Sequence, residues 1–185
     1  METLFINNNL KIQNSNEESD KINIIGYCCH YNTVNLNQER VDANSFRTFF
    51  DMKDKNQIRP LVNYNHDSNY IIGGIDELTS DNTGLLMKAH INRGVKICDD
   101  MIIPNILSGT LTDLSTEGYI LNGYNGIVEY EDNTYYVKDF ILTAVAVTPN
   151  GADYQAKFTL ANYIREYKQY KENQIKEIKS KWYLL

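Results

Sequence analysis

The alternation of apolar and polar positions along the middle of the chain predicts a β-rich fold. In residues 84–92 every second side chain is apolar, which gives a strand one apolar face and one mixed face. His90 falls on the mixed face, and we expect it to point toward solvent. Similar strand patterns occupy residues 60–66 and 70–78, and turn-forming segments separate all three. We therefore expect an antiparallel meander.

Three further segments have strand character. Residues 22–34 form an apolar, β-prone opening strand, and residues 110–121 form another. Residues 135–147 end in the apolar run FILTAVAV, which is typical of a central strand buried on both faces. Residues 122–134, rich in Gly and Asn, form an excursion between the last two strands.

Helical patterns are fewer and lie around the predicted strands. Asp42 is a candidate N-cap for a short helix over residues 43–52, where aromatic residues recur at helical spacing. Residues 95–107 look helical but contain Pro104, so two short helical pieces are expected. An apolar stripe at three- and four-residue steps predicts an amphipathic C-terminal helix over residues 156–185.

These elements predict a mainly β (α+β) fold with peripheral helices. We expect a closed or nearly closed antiparallel β-barrel, because closure removes exposed strand edges. A length of 185 residues suits one domain with appendages. The predicted organisation is a flexible leader over residues 1–21, the domain over residues 22–155, and the terminal helix.

Charge and composition exclude several classes of protein. The formal net charge of -6 argues against a nucleic-acid partner, since phosphate contacts need a concentrated basic surface. No stretch is long and apolar enough to span a membrane, and the first residues do not have the pattern of a signal peptide. We therefore expect a protein that is neither secreted by that route nor embedded in a membrane.

The cysteines indicate a reducing compartment. The three cysteines, Cys28, Cys29 and Cys98, cannot all pair, and a bond between the adjacent two would be strained. No Cys/His cluster has the spacing of a zinc site. A thiol nucleophile built from Cys28, Cys29 and His30 is disfavoured because adjacent strand residues point to opposite faces. Buried, inert cysteines are the preferred interpretation.

One His and one Ser have unusual positions. A hydroxyl needs a base to become a nucleophile. His66 ends a strand at a turn, and Ser115 stands inside a strand between two glycines, although most serines favour turns. Spacing alone leaves open that Ser115 is simply a polar residue facing solvent.

Six short motifs follow one another along the chain: RVDANSF (40–46), PLVNYNHD (60–67), IGGIDEL (72–78), GLLMKA (84–89), GTLTDLSTEGY (109–119) and LTAVAVTPNGA (142–152). Together they resemble the caudovirus prohead protease family. The resemblance covers roughly residues 22–155, and its order and spacing are more specific than any one motif. That family resembles herpesvirus assemblin in having a β-barrel core, in agreement with the fold predicted above.

The resemblance implies a role for each site residue. His66 would be the general base and Ser115 the nucleophile. The family's third catalytic residue is an acid near the final strand, where this chain has Thr143. Asp139, at the entry to that strand, is the acid we assign, although a solvated strand end is an equal interpretation. The alternatives are Asp67, which also suits a turn, and Asp113 and Glu117, which share the strand face of Ser115.

The resemblance also implies an activity. The protein would be a serine endopeptidase that needs no cofactor and acts through an acyl-enzyme. Its substrates would be the scaffold protein, the major capsid protein and the protease itself, inside an immature prohead in the cytoplasm of a bacterial host. Homodimerisation is expected by analogy with assemblin. Two alternatives stay open: a non-catalytic barrel that acts as an assembly or scaffold component, and an unrelated β-barrel binding module.

Overall fold

A computed structural model describes residues 4–6, 10–12, 20–35, 38–111, 113–130 and 132–149. The predicted C-terminal helix over residues 156–185 lies outside the described residues. Two short strands fall within the segment predicted as a flexible leader. The described strands are β1 (Leu4–Ile6), β2 (Leu10–Ile12), β3 (Lys21–His30), β4 (Glu39–Arg40), β5 (Leu61–Tyr64), β6 (Asp67–Ser80), β7 (Gly84–Asn92), β8 (Asp113–Ile120), β9 (Ile127–Glu129), β10 (Tyr135–Val137) and β11 (Phe140–Thr148).

One large sheet forms most of the fold. Its strand order is β1-β2-β3-β7-β6-β5-β11-β8, and a small sheet has the order β4-β10-β9. The large sheet curls so strongly that β8 comes into contact with β3. Among the described residues no ladder of hydrogen bonds joins these two strands, so the sheet is a half-barrel and not a closed barrel.

The mainly β fold is confirmed, whereas the expectation of a closed or nearly closed antiparallel barrel is corrected in two respects. The curl brings the two flanks of the sheet together without pairing them, which leaves β8 as an edge strand. The sheet is also mixed, because β11 pairs with β5 in parallel and with β8 in antiparallel orientation. A parallel pair needs a long crossover, and the chain between β5 and β11 supplies it.

The predicted meander is confirmed, with a tighter first turn. β7 coincides with predicted residues 84–92, and its alternate positions are buried as expected. β5 and β6 are joined by only two residues, Asn65 and His66, so β6 begins at Asp67 and is longer than predicted.

The predicted strand over residues 135–147 is divided in two. Asp139 has a left-handed backbone with φ 50°, which ends β10 and starts β11 in a different sheet. The second half is buried on both faces, as its sequence predicts. β9 lies in the segment that was predicted as an excursion without strands.

The helical predictions are confirmed in outline. The Asp42 side chain accepts hydrogen bonds from two backbone amides of the first helical turn, and Pro104 lies in the first turn of the second helical piece. No helix in the described part of the chain is both long and apolar enough to cross a membrane. The helical elements are a 3-10 turn (Ala43–Phe46), α1 (Arg47–Asp54), a π-helical turn (Cys98–Ile102), α2 (Ile103–Leu107) and a second 3-10 turn (Gly123–Gly126).

The hydrophobic core supports β11 at the end where the strand begins. Phe46 packs edge-to-face on Phe140 with a centroid separation of 5.7 Å, and Phe49 beside it is fully buried. Ser45 donates to the Val137 carbonyl at 2.6 Å. The helical segment therefore holds β11 in place, and β11 is the strand that lies between the two halves of the candidate site.

Candidate active site

The β5–β6 turn fixes the position of His66. Asn65 and His66 both have positive φ, 52° and 59°, as a type I′ hairpin turn requires. Asn65 N donates to the Val147 carbonyl at 3.1 Å, and the Thr148 hydroxyl lies 3.3 Å from Asn65 Oδ1. These contacts tie the turn to the end of β11. The His66 side chain, 7% exposed, is thereby held over the sheet.

Ser115 lies level with Asn63 of β5 across the sheet. It pairs with Ala146 on β11, and Ala146 pairs with Asn63 on β5, so all three side chains are on one face. Ser115 is 4% exposed. It is therefore not the solvent-facing polar residue that spacing alone left open.

Glu117 links the serine strand to His66. It is on the same face of β8 as Ser115, and its Oε2 lies 3.4 Å from His66 Nδ1. This carboxylate reaches across β11, where the opposing residues are Ala144 and Ala146. Because alanine side chains are small, they leave room above β11 for a contact between strands that are not neighbours.

A β-bulge in β11 places these alanines on the face that carries Ser115 and Glu117. The register passes from Leu142 opposite Gly118 directly to Ala144 opposite Glu117, so Thr143 is the extra residue. Without this extra residue, the face shared with Ser115 and Glu117 would carry Thr143 and Val145 in place of the alanines. The Thr143 hydroxyl donates to the Glu117 carbonyl at 3.2 Å. The bulge therefore opens the space that the Glu117 side chain crosses.

Gly118 has a structural reason to be glycine. A Cβ at this position would overlap the carbonyl oxygen of Ile141 on the paired strand. The close approach of the two backbones next to the bulge thus accounts for Gly118.

Asp139, the acid assigned from the sequence, is not brought to His66. It precedes β11 at the end opposite the site, about 23 Å from Ala146 at about 3.3 Å per strand residue. Its carboxylate accepts hydrogen bonds from Thr48 at 2.8 Å and from Asn122 at 3.2 Å. These hydrogen bonds stabilise the turn between β10 and β11.

The other acidic alternatives also differ in position. Asp67 accepts from the Asn69 backbone N–H at 2.8 Å, which is the turn role considered for it. Asp113 lies at the start of β8, opposite Thr148. Among the four acids that the sequence offered, Glu117 is the one whose contact with His66 is described.

The remaining histidines and the cysteines lie in other surroundings. His90 is on the outer face of β7, 15% exposed at its side chain, and its Nδ1 is 2.8 Å from Asp76 Oδ1. Burial raises the pKa of the Cys29 thiol to about 12 and raises that of Cys28 strongly as well. Both thiols are thus protonated near neutral pH and unsuited to nucleophilic attack. No three His, Cys, Asp or Glu side chains within the described ranges are grouped so that they could hold a metal ion.

A carboxylate in contact with an imidazole, on a sheet face that also carries a buried serine, supplies the three groups with which serine peptidases activate their nucleophile. Independent comparison of the sequence points to the same class. The profile of a family described as caudovirus prohead serine protease matches residues 8–172. The chain belongs to this family, and it is a serine peptidase of phage capsid maturation.

Solved structures with the same fold include a phage protease. The chain resembles the bacteriophage T4 capsid assembly protease gp21 with 16% identity and a TM-score of 0.55, covering 69% of this chain and 81% of that one. It also matches the varicella-zoster virus protease with 10% identity and a TM-score of 0.40, covering 80% of this chain and 77% of that one. No curated protein sequence matches the chain significantly.

Sequence reasoning missed one residue of the site. Asn63 is 2% exposed, and its Nδ2 donates to Glu117 Oε2 at 2.8 Å. The motif PLVNYNHD contains Asn63, but only the parallel pairing of β5 with β11 places it level with Ser115 on the same face of the sheet. The one signal for Asn63 in the sequence was its place inside an apolar strand, next to the turn that carries His66.

Proposed function

We propose that Ser115, His66 and Glu117 are the catalytic residues of an endopeptidase that matures a phage prohead. The observation that carries this proposal is the 3.4 Å contact between Glu117 Oε2 and His66 Nδ1. It orients the imidazole that stands on the same face of the sheet as buried Ser115. Asp139 has no such contact, and its carboxylate is engaged at the far end of β11.

The mechanism follows from the chemistry of these groups. Ser115 Oγ attacks the carbonyl carbon of the scissile peptide while His66 Nε2 takes the hydroxyl proton. Glu117 holds the proton on His66 Nδ1 and stabilises the imidazolium that forms. The imidazolium then passes its proton to the leaving amine, which leaves an acyl-enzyme. A water molecule, activated by the same imidazole, releases the acid product.

The proposed substrates are capsid proteins. Membership of the prohead family and similarity in fold to a protein described as a capsid assembly protease support the scaffold protein and the major capsid protein. Self-cleavage within the immature prohead, in the cytoplasm of the host bacterium, completes the proposal. The reaction needs no cofactor, and a homodimer is the proposed assembly by analogy with assemblin.

The test is co-expression with the neighbouring capsid and scaffold proteins. Wild type, Ser115→Ala and the control Ser108→Ala are compared by the intact mass of every chain. Ser108 is an exposed serine after α2 and lies outside the site. We expect shortened chains with wild type and the control and full-length chains with Ser115→Ala. Identical masses with all three proteins would refute the protease and favour a scaffold role.

Self-cleavage is tested separately. Purified Ser115→Ala protein is mixed with a trace of wild type and followed by intact mass. Shortening of the inactive protein shows cleavage between molecules. If the wild type alone is shortened during expression and the inactive protein stays intact, cleavage occurs within one molecule. An intact wild-type chain in both experiments would refute self-cleavage.

A further inference from the structure

Asn63 is a polar side chain buried within the apolar strand β5. It is 2% exposed, and its Nδ2 donates to Glu117 Oε2 at 2.8 Å. The same oxygen lies 3.4 Å from His66 Nδ1. We propose that Asn63 is a positioning residue that holds the Glu117 carboxylate against His66. This inference rests on the catalytic role proposed above for His66 and Glu117.

The Glu117 side chain needs such a restraint. Its side chain is 27% exposed, so water competes for the carboxylate oxygens. Glutamate also loses considerable rotamer freedom when it is held in one conformation. A hydrogen bond from a residue that is fixed in a strand restricts those rotamers before the substrate arrives. The imidazole then meets a carboxylate already placed beside Nδ1.

An amide suits this position better than a charged donor. Lysine or arginine would form an ion pair with Glu117 and would compete with His66 for its negative charge. The neutral amide N–H orients the carboxylate and leaves its charge available to the imidazolium. Asn63 is also short enough to be contained beneath the site, since Ala146 is its neighbour on β11.

The amide contributes little to folding by itself. Asn63 Oδ1 is buried and accepts no hydrogen bond among the described residues. An unsatisfied buried oxygen is unfavourable, and a leucine of similar size would avoid that cost. Activity and stability should therefore respond in opposite directions when Asn63 is replaced.

The first test compares Asn63→Leu with wild type on a peptide that spans a cleavage site found by intact mass. We expect kcat to fall about 10- to 100-fold, as loss of one hydrogen bond to a charged group predicts. KM should change less than about threefold, because Asn63 is buried beneath the site. Tm should be unchanged or higher. A wild-type kcat in folded Asn63→Leu would overturn the proposal.

Two further variants separate positioning from folding. Asn63→Asp keeps the shape but puts a second carboxylate beside Glu117, and we expect a loss of kcat at least as large. Asn105→Leu is the matched control, since it removes the amide hydrogen bond of another part-buried asparagine, to the Met101 carbonyl at 2.7 Å, outside the site. It should retain kcat within about twofold. Equal losses of kcat in Asn105→Leu and Asn63→Leu would contradict a specific role for the Asn63 amide.

A spectroscopic measurement remains informative whether or not the protein cleaves. In the Ser115→Ala background, ¹⁵N spectra assigned with His66→Gln report which nitrogen of His66 is protonated. We expect the Nδ1–H tautomer with Asn63 and a mixture of tautomers with Asn63→Leu. Unchanged spectra would overturn the positioning role. Changed spectra in a protein that never cleaves would instead refute the proposed function and leave the positioning role in place.

Discussion

Replacement of Glu117 by glutamine removes the negative charge beside His66 and keeps the side chain shape. In the imidazolium–carboxylate pair, His66 Nδ1 and Glu117 Oε2 are 3.4 Å apart. At that separation the attraction is about 5 kcal/mol for an effective dielectric constant of about 20 and about 1 kcal/mol for bulk water. Since the Glu117 side chain is 27% exposed, the energy falls between these limits.

This range converts directly into a rate. With about 1.4 kcal/mol per factor of ten, Glu117→Gln should lower kcat between about fivefold and several thousandfold, and we expect about a hundredfold. The loss should appear in kcat more than in KM, because the imidazolium exists only after proton transfer. Single-turnover cleavage of the peptide substrate by folded Glu117→Gln measures it. A change of less than about threefold would refute the role of Glu117.

Asp139→Asn is the matched comparison for this prediction. Its carboxylate binds Thr48 and Asn122 at the opposite end of β11. We expect Asp139→Asn to lower Tm and to leave kcat within about twofold, since distant sites act independently. A larger loss of kcat in Asp139→Asn than in Glu117→Gln would restore the assignment made from the sequence.

Three further predictions concern the stability of the fold and the reactivity of a cysteine. Gly118→Ala should lower the free energy of unfolding by about 1–3 kcal/mol or more, because its Cβ would overlap the Ile141 carbonyl. Wild-type stability of this variant in chemical denaturation would contradict the prediction. The hydrogen bond from Tyr27 lowers the pKa of Asp81, so its stabilisation is present at neutral pH and is lost as the pH falls through the folded-state pKa. Asp81→Asn should therefore lower Tm at neutral pH and flatten its decline in acid, and parallel Tm curves would count against it. Burial raises the pKa of Cys29 to about 12, so iodoacetamide at neutral pH should leave cleavage intact, whereas rapid inactivation would indicate a reactive thiol.

Local patterns predicted the elements that depend on neighbours in sequence. The two-residue period of 84–92 identified β7, the cap at Asp42 identified the first helix, and Pro104 divided the second. Each signal acts within a few residues. His66 and Ser115 were identified by resemblance, since no local pattern distinguishes a buried serine on a strand from an exposed one.

Features that depend on distant contacts were not predicted. The parallel pairing of β5 with β11 joins segments on either side of a long crossover, and the curl that leaves the half-barrel open is set by the whole sheet. Asp139 ends one strand with a left-handed backbone, whereas the apolar pattern alone predicts a single continuous strand. Asn63 belongs to the site through that parallel pairing.

The position of the acid follows from the bulge in β11. Resemblance placed an acidic residue near the final strand, where this chain has Thr143, and Asp139 was the nearest acid in sequence. Thr143 is the extra residue of the bulge, and it shifts the register so that Glu117 on β8 faces Ala144. A carboxylate from the neighbouring strand can then cross above β11 to His66, with the Thr143 hydroxyl bonded to its main chain. Proximity in sequence favoured Asp139, whereas the acid beside His66 is set by a register shift between strands, which no spacing within β11 reveals.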